Sequence, residues 1–274
     1  MLVPAVTGQA PHVDGAPETE LLMMKRLGLH AVRYGLGLVA AAAIFAPSVA
    51  QAQITRVTGP DSRQSIGLSL GGFFVKPEDS RVAGDVLVAD LSDVEPLLFE
   101  INDFNGFSIG GEWLVGLTEY LEAGVGVGFY QKTVPSIYRN VTNENDVEIE
   151  QDLKLRTVPV TATVRFLPLG RRSGVEPYVG AGIGAINWRY SESGEFVDTS
   201  DDSIFRNTYV AKGWAAGPVN LGGLRFPVGE AFTIGGEARW QKAEGDTDRD
   251  ETGLLGEKID LGGWNAAVTF HLRF

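Results

Sequence analysis

The sequence predicts an all-β protein: a transmembrane, antiparallel, up-and-down β-barrel of eight strands. Three observations carry that expectation. Segment after segment alternates apolar residues with small or polar ones at a period of two, which is the pattern of strands. The connections between these segments run long, short, long, short, as in a barrel with one looped mouth and one tight mouth. The chain also ends Phe270-His271-Leu272-Arg273-Phe274, apolar at every second place.

Composition agrees. There are 35 glycines among 274 residues, roughly twice the usual share, and this disfavours a helical bundle. With 44% hydrophobic and 21% charged residues the chain is expected to fold. A net charge of -12 argues against nucleic acid as a partner. The absence of cysteine removes disulfides, thiolate metal sites, a cysteine nucleophile and a lipid-modified N-terminus.

The N-terminal region reads as an export signal. Lys25, Arg26 and Arg33 precede an uncharged stretch from Tyr34 to Ala46, and Pro47-Ser48-Val49-Ala50-Gln51-Ala52 follows. A basic region, an apolar region too short to span a bilayer as a helix, and small residues at a cleavage site make a signal peptide. Cleavage is expected after Ala52, with Ala50 as second choice. Residues 1–23 read as an upstream extension ahead of a true start at Met23 or Met24. That leaves 24–52 as the signal, 53–63 as a periplasmic segment and 64–274 as the barrel.

Eight alternating segments follow. The first carries Ile66, Leu68, Leu70 and Phe74; the second Phe107, Ile109, Trp113, Val115 and Leu117. The third sets Leu121, Ala123, Val125, Val127 and Phe129 against Glu122 and three glycines. The fourth offers Val158 to Phe166, and the fifth Val179, Ala181, Ile183 and Ala185. In the sixth, interrupted by Pro218, the apolar face is read as Val219 and Leu221. The seventh has Phe232, Ile234, Ala238 and Trp240, and the eighth Trp264 to Phe274. Four long acidic connections, 76–105, 132–152, 191–208 and 243–258, are expected at the outer mouth as solvated loops. Val86, Val88 and Leu97–Ile101 leave open an extra hairpin and a ten-stranded barrel.

The face opposite the apolar one is Gly, Ser, Thr, Glu and Arg. It is too polar to hold a greasy ligand and too glycine-rich for a water-facing exterior. Turned inward it suits the narrow lumen of an eight-stranded barrel, with the apolar face on lipid. Phe74, Phe107, Phe129, Phe166, Tyr190, Trp240, Trp264 and Phe274 are read as interfacial girdles.

With Pro177-Tyr178-Val179-Gly180-Ala181-Gly182-Ile183-Gly184, Gly235-Gly236-Glu237-Ala238-Arg239-Trp240 and the C-terminal strand in view, the chain resembles small bacterial outer-membrane barrels, the broad class of the outer-membrane protein A membrane domain and outer-membrane protein W. The resemblance implies a porin-like barrel in the cell outer membrane, surrounded by lipid and lipopolysaccharide. It also implies that Phe270, Leu272 and Phe274 act as the signal read by the barrel-assembly machinery.

Chemistry is sparse. Of three histidines, His12 and His30 precede the cleavage site and His271 lies at the periplasmic mouth, so no enzyme is expected. Asp246, Asp248, Asp250 and Glu251 alternate as in calcium loops but lack the required glycine and later glutamate, and read as a solvated tip. Asp198, Asp201 and Asp202 read alike, and divalent cations bridging such loops to lipopolysaccharide stay open. No cofactor or metal is expected. Glu112, Glu237 and Arg239, with Arg156 or Arg165, are the candidate polar network of the lumen. A structural or surface-interaction role is therefore expected, with a narrow channel for small solutes or apolar molecules as the alternative. A soluble secreted binding barrel is the third reading.

Overall fold

The computed structural model describes residues 63–142, 145–198 and 203–274. The signal peptide, its cleavage site, the upstream extension and residues 53–62 lie outside the described residues, as do Asp201 and Asp202.

Eight long strands form: β1 (Gln64–Val75), β2 (Gly106–Gly116), β3 (Leu121–Thr142), β4 (Glu148–Phe166), β5 (Glu176–Asp198), β6 (Ser203–Val228), β7 (Phe232–Gln241) and β8 (Gly263–Arg273). Each pairs antiparallel with its neighbours in the chain, and β8 pairs with β1. The ring is closed. Closure removes the free edges that a bilayer does not tolerate. Thr118 holds the short β2–β3 turn, its Oγ1 accepting from the Tyr120 and Leu121 amides at 3.1 and 3.0 Å.

The alternation seen in the sequence sorts as expected on seven strands. Ile66, Leu68 and Leu70, Ile109 and Trp113, Val125 and Val127, Val160 and Val164, Val179 and Ile183, and Val268 and Phe270 all face outward. On β3 and β4 this apolar exterior runs from Leu121 to Phe129 and from Val158 to Phe166. Nine residues of tilted strand match the thickness of a hydrocarbon core. Phe74, Phe107, Phe129, Trp214 and Trp264 are exposed at one rim of the belt, and Phe166, Phe226, Phe232 and Phe274 at the other.

Strand β6 has the opposite phase to the one expected. Val219 and Leu221 point into the barrel, while Trp214, Leu224 and Phe226 meet the outside. Register forces this, because Val219 sits beside inward Gly182 and Pro218 beside outward Ile183. Gly182 of β5 lies tight against the β4 backbone. A Cβ there would lie 2.0 Å from the Ala162 carbonyl oxygen. Gly182→Ala is expected to destabilise the barrel by about 1–3 kcal/mol. Gly236→Ala, whose Cβ has no neighbour nearer than 4.0 Å, is expected to leave it near wild type. Urea unfolding in lipid vesicles checks the pair.

Above the belt the strands continue, and their apolar side changes over. On β4 the exterior becomes Arg156, Lys154 and Asp152, while Leu153 and Leu155 turn inward. Tyr190, expected in a girdle, is fully buried inside this upper barrel. Much of the expected loops 132–152 and 191–208 is therefore strand.

The other two long connections fold back over the mouth. Residues 76–105 form no barrel hairpin; they carry helix α1 (Val86–Ser92), two 3-10 turns and a two-residue strand at Leu97–Leu98 against β3. Among the described residues the barrel has eight strands, not ten. Residues 242–262 carry short paired strands at Glu244–Asp246 and Lys258–Asp260 around helix α2 (Arg249–Thr252). Val86, Leu87, Phe99, Phe104, Leu254 and Ile259 pack on Tyr130, Leu153, Leu155, Trp188 and Tyr190 of the walls. The acids of these segments are partly internal, contrary to a fully solvated pair of loops. Asp85 caps α1, accepting from the Leu87 amide at 3.1 Å. The same carboxylate binds Arg81 at 2.7 Å and the Asp260 amide at 2.6 Å. Asp260 in turn takes Lys76 at 2.8 Å, tying one connection to the other. The tip at Asp246, Asp248, Asp250 and Glu251 is exposed, as the sequence suggests.

Candidate functional site

Glycine on the inner face leaves space at belt level for long polar side chains. Gly67, Gly126, Gly180 and Gly235 interleave there with Glu112, Glu122, Arg165, Tyr178, Arg225 and Glu237. Glu112 of β2, Glu237 and Arg239 of β7, expected to form a lumen network, do meet. Arg239 Nη2 donates to Glu237 at 2.7 Å and lies 3.6 Å from Glu112. The fourth strand's arginine in the network is Arg165; Arg156 faces outward. Arg165 donates to Glu112 through two nitrogens, one at 3.0 Å, and lies 3.0 Å from Glu237. His271 Nε2 sits 2.8 Å from Glu112 Oε1, where a carboxylate only accepts, so the proton is on Nε2.

A second layer closes the end with the short turns. Arg225 donates to Glu122 at 2.7 Å, Arg171 reaches the same carboxylate at 2.9 Å, and Arg273 donates to Glu176. Tyr178 joins the layers. Its ring lies between the Arg165 and Arg225 guanidiniums, each 5.0 Å from the centroid, and its hydroxyl donates to Glu237 at 3.0 Å. Four carboxylates, five guanidiniums and an imidazole thus fill the lumen as one paired assembly. Pairing is what makes their burial tolerable.

Glu122, Glu176, Arg171 and Arg225 did not figure among the expected network residues. Arg225 shares the parity of Val219 and Leu221, so reading those as lipid-facing placed the arginine outside. Leu224 and Phe226 on the alternate parity were the available signal. Glu122 could have been found, since it lies on the glycine face of β3.

Between this network and the apolar cap lies a cavity of about 60 Å3, lined in part by Ser69, Ser108, Glu112, Thr157, Glu237 and Arg239. It has space for a few waters. Above it, Asp90 of α1 and Glu192 of β5 are buried beside each other, with the Tyr190 hydroxyl donating to Asp90 at 3.3 Å. Burial, with the adjacent Glu192 charge, holds the Asp90 carboxyl well above its ordinary range. Burial likewise pushes Glu192 up to about 7. Among the described residues no group of three or more His, Cys, Asp or Glu side chains is arranged to hold a metal ion.

A closed ring, an apolar belt one bilayer thick outside and a paired polar lumen inside admit one class. The chain is a membrane-spanning antiparallel β-barrel. Protein-family models and curated sequences give no match. Among solved structures it is similar to the outer membrane protein OprG from Pseudomonas aeruginosa, at 13% identity and a TM-score of 0.45, over 78% of this chain and 97% of that one. It is also similar to Neisserial surface protein A, at 12% and 0.39 over 77% and 96%. The N-terminal β-barrel domain of Pseudomonas aeruginosa OprF gives 14% and 0.35 over 78% and 98%. These likenesses concern the fold.

Proposed function

We propose that this barrel is a closed structural and surface-presenting element of the outer membrane, without enzymatic activity, exported by the signal at 24–52 and set in lipid and lipopolysaccharide. The observation behind this reading is the double closure of the lumen. A charged network blocks it at belt level, and an apolar core blocks its looped mouth. What the barrel then offers is its exterior and the upper surface of its loops. His271, the one histidine among the described residues, is buried against Glu112 and has no access to a substrate.

Topology supplies the test. The chain has no cysteine, so single cysteines report directly. Asp250→Cys in α2 is expected to react with a polymer-coupled maleimide on intact cells. Glu230→Cys in the β6–β7 turn is expected to react only after the outer membrane is opened. The reverse pattern would overturn the surface reading.

The polar cavity beside Glu112 and Arg239 favours one second reading, a narrow pathway exposed when the cap moves. The C-terminal residues keep their proposed role in assembly. Phe270, Leu272 and Phe274 project outward from β8, the strand that seals the ring against β1. Phe274→Ala is expected to lower the heat-modifiable, folded fraction several-fold in cells while refolding in detergent proceeds as in wild type. Equal assembly in cells would remove the signal role.

A further inference from the structure

At the upper edge of the apolar belt, Arg156, Arg189 and Lys212 lie side by side on the outside of β4, β5 and β6. The register pairs Arg156 with Arg189 and Arg189 with Lys212. Residues directly opposite across strands hold their side chains about 5 Å apart, and like charges so placed repel. No ion-pair partner for any of the three occurs among the described residues, and the Arg156 Nε is buried without a hydrogen bond. On the β3 side and just above, the flanking positions supply no acid: Gln131 pairs with Arg156, and Ser191 with Lys154. In a chain of net charge -12, three abreast cations with no ion-pair partner among the described residues are a feature to be explained.

A groove of about 460 Å3 runs among Arg156, Asn187, Arg189, Lys212, Gly213 and Trp214. Trp214, 66% exposed, stands at its lower side as an interfacial aromatic does. Directly beneath, Val158, Val160, Ala185 and Ala216 form the apolar wall of the same strands. The chemistry that fits is an anion joined to hydrocarbon.

We propose that Arg156, Arg189 and Lys212 form a seat for a phosphate of an outer-leaflet phosphorylated glycolipid, whose acyl chains lie on the apolar wall below. Arginine suits this because its planar fork donates two bonds to a phosphate. The inference rests on the outer-membrane reading with the long strands pointing outward, and it names one lipid contact within it.

The test uses the barrel folded in a neutral, phosphate-free detergent and native mass spectrometry. The probes are diphosphoryl lipid A, the same lipid dephosphorylated, and inorganic phosphate. Wild type is expected to hold diphosphoryl lipid A at least tenfold more tightly than R156Q/R189Q/K212Q. The dephosphorylated lipid is expected to show no such difference. A control that removes three exposed charges elsewhere, R206Q/K242Q/K258Q, is expected to behave as wild type. Equal affinity of wild type and the first triple variant, or equal loss in the control, would overturn the seat. Displacement of the lipid by millimolar inorganic phosphate would overturn the lipid as its occupant. Because binding is read in detergent, conducting barrels that still discriminate would contradict the closed-lumen reading and leave this site standing.

Discussion

Arg165→Met is expected to lower the unfolding free energy by about 3–5 kcal/mol, the range for breaking a buried ion pair by removing one partner. The side chain has no solvent exposure, spans from Glu112 to Glu237, and lies over the Tyr178 ring. Its loss leaves two carboxylates in a lumen where Arg239, His271 and the Tyr178 hydroxyl remain to meet them, with one full cation in place of two. The effect comes from the stranded charges, not from the methylene stem, which methionine replaces. Adding Glu112→Gln and Glu237→Gln is therefore expected to recover most of the loss, because neutral groups do not need the guanidinium. Urea unfolding in vesicles, followed by tryptophan fluorescence, reads both steps. A triple variant no more stable than Arg165→Met would mean that the arginine acts through packing alone.

The second large effect is on the cap and depends on pH. Asp90 of α1 is buried against Glu192 of the wall, with Tyr190 donating to Asp90 and the Asp85 carboxylate nearby. Both carboxyls titrate above their unfolded values, so the docked state binds more protons than the undocked one between about pH 4.3 and 7. Docking is thus fully supported below that window and weakens as pH rises through it, at up to about 1.4 kcal/mol per pH unit for each such proton. A nitroxide on Ser92→Cys, at the exposed end of α1, is expected to gain mobility between pH 5 and 9. Asp90→Asn keeps an amide able to donate to Glu192 and is expected to flatten the profile. Identical profiles for the two proteins would exclude the carboxyl pair as the sensor.

The part of the fold legible in the sequence is the part made by lipid. Where one strand face meets hydrocarbon and the other a crowded lumen, the period of two is unambiguous, as in Leu121 to Phe129. Strand β6 defeats the same reading because Trp214, Leu224 and Phe226 on one parity compete with Val219 and Leu221 on the other. The cap was illegible for a related reason. Above the belt the apolar face turns inward, so Leu153 and Leu155 alternate out of phase with Val158 and Val160 on a single strand. A reader expecting lipid places Tyr190 in a girdle and takes residues 191–208 for loop. Asp85, Asp90 and Asp260 look like loop solubilisers until partners from distant segments, the Asp260 amide, Glu192 and Lys76, come to meet them. Glu112, Glu237 and Arg239 were legible as inward polar residues because their strands are short and unmixed. Their bridging partner Arg165 was visible only as one of two choices.

Charge pairs at belt level and an apolar cap at the looped mouth close the lumen. Single-channel recording of the refolded barrel in planar bilayers, after its heat-modifiable migration confirms folding, tests this most directly. Wild type is expected to insert and remain silent. Reproducible openings of the wild-type protein would contradict a closed lumen and make the Glu112–Arg165–Glu237–Arg239 network a gate.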